Sequence, residues 1–181
     1  ETITLIEKDG AYYPLEGLDE LSSQLVFLRK KFNNYQAFAG QPIENILDKT
    51  RLEKARTLTV TELQSGYLLN NEGAFTFKPF NNDLQVSPIM DFVSYDFDSD
   101  NRNEVLIGGN YFGVKPYQGR FDSFPGALLK SQNDVILGNI LGLDFTQKSL
   151  RHLNIIRLND QPYLLATFNN EKAQLYKINT E

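Results

Sequence analysis

The spacing of apolar side chains changes character twice along the chain. Residues 2–6 and 11–15 flank Asp9-Gly10, a dipeptide suited to a two-residue reversal, so the opening predicts a β-hairpin. Leu18, Leu21, Leu25, Leu28, Phe32 and Tyr35 then recur at steps of three and four, the period of one amphipathic helix. Asp19 can cap or charge its start, and Gly40 followed by Pro42 ends it. A second short helix is expected from Pro42, with Ile43, Ile46 and Leu47 apolar and an extension through Leu52 and Ala55, so that residues 18–56 form a helical segment. After that the pattern is strand-like. Residues 58–61, 67–69, 74–77, 89–95, 105–109, 126–130, 135–138, 153–157, 163–168 and 173–178 are short apolar runs separated by turn-forming residues. Short, closely spaced strands predict a mainly β fold of the sandwich, barrel or propeller kind.

Composition narrows the function classes more than the fold. At 181 residues with 41% hydrophobic side chains, the chain can bury an ordinary core. A net charge of −5 disfavours nucleic acid, because phosphate binding needs a clustered positive face. The basic run Arg29-Lys30-Lys31 reads as the solvated face of the helix. With no cysteine there is no disulfide framework, thiolate metal site or cysteine nucleophile. No apolar run is long enough for a membrane-spanning helix. The chain starts at Glu1 without an initiator Met, a signal sequence or a lipid-attachment cysteine, and is expected to be a processed piece or part of something longer.

Candidate chemistry concentrates in residues 96–104, where four carboxylates fall in one short loop between two apolar runs. Asp96, Asp98, Asp100 and Glu104 stand at its first, third, fifth and ninth positions. Alternate residues of a tight loop point the same way, so these oxygens can converge on one hard cation such as Ca2+. Asn101, at the sixth position, tolerates the left-handed backbone that a sharp turn around an ion needs. The competing account is a solvated hairpin turn, since Asp and Asn dominate turns through hydrogen bonds to their own backbone. On sequence grounds only Arg102 offsets the local negative charge, so an ion-free loop is expected to be weakly ordered.

Catalytic signals are sparse. His152, the only histidine, has no Ser or Cys motif near it and reads as an incidental surface or packed residue. Nucleophile-elbow, zinc-protease, P-loop and dinucleotide motifs are absent from the sequence, and no helical pattern follows Gly108-Gly109. Asp91, Asp96, Asp122 and Asp144 could serve glycoside cleavage if they met in a cleft, and Tyr12, Tyr13, Tyr111 and Tyr117 could stack on sugars or simply fill sheet faces. Asp122 reads more simply as an ion pair with Arg120.

The string from Asp96 to Glu104, followed by Val105-Leu106-Ile107-Gly108-Gly109-Asn110-Tyr111-Phe112-Gly113, resembles an FG-GAP (VCBS) repeat, the blade unit of calcium-binding β-propellers related to the integrin α-subunit head. Asp19-Glu20-Leu21, Leu28-Arg29-Lys30-Lys31-Phe32 and Tyr35-Gln36-Ala37-Phe38-Ala39 resemble a helical insertion of large secreted members from Bacteroidetes-type bacteria. Val114-Lys115-Pro116, Gly119-Arg120-Phe121-Asp122 and Gly126-Ala127-Leu128-Leu129 resemble the continuation of a blade. The resemblance implies a calcium ion held by the side chains of Asp96, Asp98, Asp100 and Glu104 and by the backbone carbonyl of Arg102. Asn101 stands where the family has Gly, and Glu104 where it has Asp.

The organisation then expected is a hairpin of a preceding blade at 1–17, the helical insertion at 18–56 and propeller blades at 57–181. About 40–50 residues make a blade and closure takes at least about four, so 57–181 supply about two to three. A partial propeller implies the remainder of a longer propeller, or a companion protein chain, as partner. The implied function is a non-enzymatic, calcium-stabilised binding or scaffold module. It belongs on an exported or cell-surface bacterial protein, with an outer-membrane complex or a surface glycan as further partners. The alternative is a carbohydrate-directed enzyme using cleft carboxylates.

Overall fold

The computed structural model describes residues 2–115, 119–131 and 134–179, and the chain divides into two compact units, Glu1–Thr61 and Glu62–Glu181. In the first unit, β1 (Leu5–Lys8) and β2 (Ala11–Pro14) pair antiparallel through Lys8 and Ala11. Asp9 and Gly10 between them both have positive φ, 52° and 80°, which matches the twist of the flanking strands.

The expected single helix is instead three short ones, α1 (Leu18–Gln24), α2 (Leu28–Lys31) and α3 (Tyr35–Phe38). Two local competitors interrupt it. The Ser22 and Ser23 hydroxyls bond back to the carbonyls of Asp19 and Glu20 near the end of α1, and the Asn34 side chain accepts from Ala37 N–H to start a new helix. The first helix begins at Gly17, whose N–H donates to Glu20, while Asp19 bonds Tyr35 rather than capping. Leu18, Leu21, Leu28 and Phe32 are buried as the stripe predicts, but Tyr35 is exposed. The helices α4 (Ile43–Ile46) and α5 (Lys49–Lys54) follow, α4 starting behind Pro42 and α5 capped by Asp48. Ile3 and Leu5 pack against the buried helix residues, so hairpin and helices share one core.

Residues 58–61 form no strand. Leu58 and Val60 are exposed there, and β-propensity without a neighbouring strand to pair with does not make a strand.

The second unit is mainly β. A hairpin of β3 (Gly66–Asn71) and β4 (Ala74–Pro79) turns at Glu72 and Gly73, again with positive φ. Then β5 (Ile89–Tyr95), β6 (Glu104–Gly109), β7 (Ala127–Leu129) and β8 (Val135–Leu137) form an antiparallel meander in sequence order. A three-stranded sheet follows, β9 (Leu150–Leu158), β10 (Gln161–Phe168) and β11 (Gln174–Lys177), with β10 central. Among the described residues the sheets are separate and antiparallel, without closure into a barrel or propeller.

Alternation along the meander sends neighbouring residues to opposite faces. Leu106 and Leu128 pack with Leu153, Leu164 and Ala166 of the three-stranded sheet, whereas Ile107 and Ala127 pack with Leu84 and Phe124 on the other side. Strand β6 is therefore covered on both faces. At its end the backbone comes so close to its neighbours that a Cβ on Gly109 would lie 2.1 Å from the Pro88 carbonyl oxygen. The next residue, Asn110, is fully buried at φ 77°. Its Oδ1 accepts from Phe124 N–H at 3.0 Å, and its Nδ2 donates to the carbonyls of Phe124 and Phe145 at 2.9 and 2.8 Å. One amide thus satisfies three buried backbone groups from two distant loops.

Replacing Asn110 with Ala strands these groups at about 1–3 kcal/mol each, so urea unfolding should show a loss of about 3 kcal/mol or more. Asn110→Gly suits the backbone angle but removes the same bonds, and should lose nearly as much. A stable Gly variant would show that Asn110 supplies only a turn.

Candidate metal centre

The acidic loop leaves β5 at Tyr95 and returns as β6 at Glu104, two residues that pair directly across the hairpin. Asp96, Asp98 and Glu104 each bring a carboxylate oxygen into one group, all within 4.8 Å of one another. At calcium–oxygen distances of about 2.3–2.6 Å, ligands up to about 5 Å apart can share an ion, and carboxylates are the donors a hard cation prefers. The set therefore fits a divalent cation. Asp100 is outside the group, its Oδ1 accepting from Arg102 N–H at 2.8 Å. Arg102 enters the local hydrogen bonding through its N–H.

Local backbone bonds aim these side chains. Asp96 accepts from Asp100 N–H and Asn101 N–H, both at 3.1 Å, and Asp98 accepts from Asp100 N–H at 3.3 Å. Asn101 has φ 67°, the left-handed angle its position calls for, and Ser99 at φ 61° takes a second such angle. Glu104 is the anchor: it is only 4% exposed, and its Oε2 accepts from Phe97 N–H at 2.8 Å.

A cation is supplied from elsewhere in the chain. Leu129 pairs with Val105, which carries the next residue, Lys130, to the loop, where its Nζ lies 2.7 Å from Asp98 Oδ2. The Lys130 hydrogen bond holds the Asp98 carboxyl below the usual carboxylate range, and the same bond with Asp98 raises the Lys130 ammonium above the usual lysine range. Arg102 is thus not the only offset to the local charge. Lys130, outside the acidic string and 32 residues from Asp98, had no sequence signal linking it to the loop.

The carboxylates considered for glycoside cleavage are each engaged separately, and no three of them gather oxygens within 4.8 Å. Asp91 Oδ2 accepts from Leu153 N–H at 2.8 Å on the open edge of β9, with exposed His152 Nδ1 3.6 Å away. Asp122 lies 3.7 Å from Arg120. Asp144 accepts from Thr146 N–H at 2.8 Å and is held below the usual carboxylate range chiefly by the Thr146 side chain. Tyr12 is exposed and Tyr13 half-buried, while Tyr111 bridges to Phe121 with Arg151 over its ring; Pro116 and Tyr117 lie outside the described residues. Among the described residues no helix is long and apolar enough to cross a membrane. Set against known proteins, the chain matches no family model, no curated protein and no solved structure.

Glu104→Ala leaves Phe97 N–H without its acceptor and should lower stability by about 1 kcal/mol or more in chelator. Glu104→Gln keeps an oxygen in place and should lose less; equal losses in urea titrations would refute the anchoring role.

The Asp98–Lys130 pair has a defined pH window. A lowered Asp98 stabilises the fold above the ordinary aspartate range and ceases to as pH falls through its folded pKa; a raised Lys130 stabilises below the ordinary lysine range and ceases to as pH rises through its own. The stability difference between wild type and Lys130→Met should be widest near neutrality and close in acid. A pH-independent difference in metal-free buffer would contradict the pairing.

Proposed function

We propose that the chain is a calcium-stabilised β-propeller segment of the FG-GAP (VCBS) kind, acting as a non-enzymatic binding or scaffold module of an exported or cell-surface bacterial protein. The observation that carries the proposal is the grouping of Asp96, Asp98 and Glu104 oxygens within 4.8 Å at the mouth of a hairpin. An ion there fastens β5 to β6, and β6 is covered on both faces, so tightening the loop stabilises the sheet it serves. The four-stranded meander β5 to β8 has the topology of one blade, and the sheet packed on its face supports a second. Further blades come from the rest of a longer propeller or from a companion chain, and an outer-membrane assembly suits such a module.

Calcium is structural in this role. Extracellular calcium modules bind at about 0.1–1 mM, which suits millimolar calcium outside cells. The scattered engagement of Asp91, Asp122 and Asp144 favours a module over a glycosidase.

At about tenfold excess of calcium over Kd the ion adds about 1.4 kcal/mol, so Tm should rise by a few degrees. Asp98→Ala should abolish the rise. Lys130→Met, which removes the competing ammonium, should keep or enlarge it. A flat calcium titration of a chelated wild-type sample would overturn the proposal.

A further inference from the structure

The helical unit carries an open cavity unrelated to the acidic loop. Because the helix breaks at residues 25–27 and 32–34, the ends of α1, α2 and α3 surround this space of about 480 Å³. Its wall includes Asp19, Arg29, Phe32, Asn33, Asn34 and Tyr35. That volume is in the range of small-ligand sites, and the lining is mainly polar, with Tyr35 as its exposed aromatic ring.

Three features of the wall narrow the ligand. Tyr35 is 64% exposed, yet its hydroxyl donates to Asp19 Oδ2 at 2.7 Å, so a bare aromatic face is held in place before anything binds. Arg29 is exposed, and its side chain makes no hydrogen bond or ion pair among the described residues, leaving a planar two-pronged donor at the cavity. Asn33 and Asn34 join side chain to side chain at 2.9 Å, and Asn34 Oδ1 is taken by Ala37 N–H, so their remaining amide donors are available to hydroxyl groups.

An aromatic face, fixed amides and an acid beside an uncommitted guanidinium match a pyranose that bears a carboxylate. We propose that this cavity binds an acidic saccharide of the uronic-acid type, Arg29 taking its carboxylate in a bidentate pair, Tyr35 its ring face, and Asp19 and Asn33 its hydroxyls. The proposal deepens the binding-module part of the proposed function and rests on that part, not on calcium. A failed titration at the cavity leaves the calcium-dependent melting standing, and a flat calcium response leaves the titration standing.

Calorimetric titration of the intact chain with galacturonic acid trimer tests it, with galactose trimer and triglutamate as comparisons. The acidic trimer is expected to bind at least about tenfold more tightly than either, and Arg29→Gln to weaken it about tenfold. The Arg29 side chain is exposed and has no partner among the described residues, so this variant should keep the wild-type circular dichroism and Tm. Tyr35→Ala is the second variant, expected to lose binding. No binding of the acidic trimer at millimolar concentration overturns the proposal. So does equal binding of the neutral trimer, of triglutamate, or of the acidic trimer by Arg29→Gln.

Discussion

Strand β6 is closed in on both faces, by Leu153 and Leu164 on one side and by Phe124 and Leu84 on the other, and the rest of the second unit is arranged around that constraint. A strand without a free face cannot slip in register, since one residue of slip would drive every side chain into the opposite core. Its ends are therefore fixed points. At one end Gly108 and Gly109 allow contact too close for a Cβ, and Asn110 takes over the hydrogen bonding where the ladder stops. At the other, buried Glu104 begins the strand and reaches back to Phe97.

The acidic loop inherits its order from that anchored end. Four carboxylates in nine residues repel one another, but most of their oxygens here accept backbone N–H groups of the same loop, and Asp98 meets Lys130. Hydrogen bonding to the charged form offsets part of the repulsion. The loop is thus arranged for positive charge without being a disordered string that only an ion could gather. Lys130 holds Asp98 Oδ2, so a cation drawing on Asp98 would share that carboxylate with the ammonium.

In the helical unit, the interruptions of the helix matter more than its apolar stripe. A continuous helix would place Leu18 through Tyr35 along one buried side. Broken twice, it keeps Leu21, Leu28 and Phe32 in the core and turns Tyr35 out, with Asp19 holding its hydroxyl. Ser22, bonding back near the end of α1, and Asn34, starting α3, both line the cavity between the helices.

Features written in neighbouring residues were legible from the chain alone. The turn at Asp9-Gly10, the strand at Ile89–Tyr95, the start of a helix behind Pro42 and the left-handed angle at Asn101 all follow from backbone preferences that act over a few positions. Pairing of residues far apart was not legible. That 58–61 stay unpaired, that Asn110 bridges to Phe124 and Phe145, that Asp91 caps an edge at Leu153, and that Lys130 rather than Arg102 alone offsets the loop depend on partners brought together by folding. Local propensity sets what a segment can be; burial and hydrogen-bond satisfaction across the tertiary structure set which of its side chains meet, and those energies have no counterpart in adjacent letters.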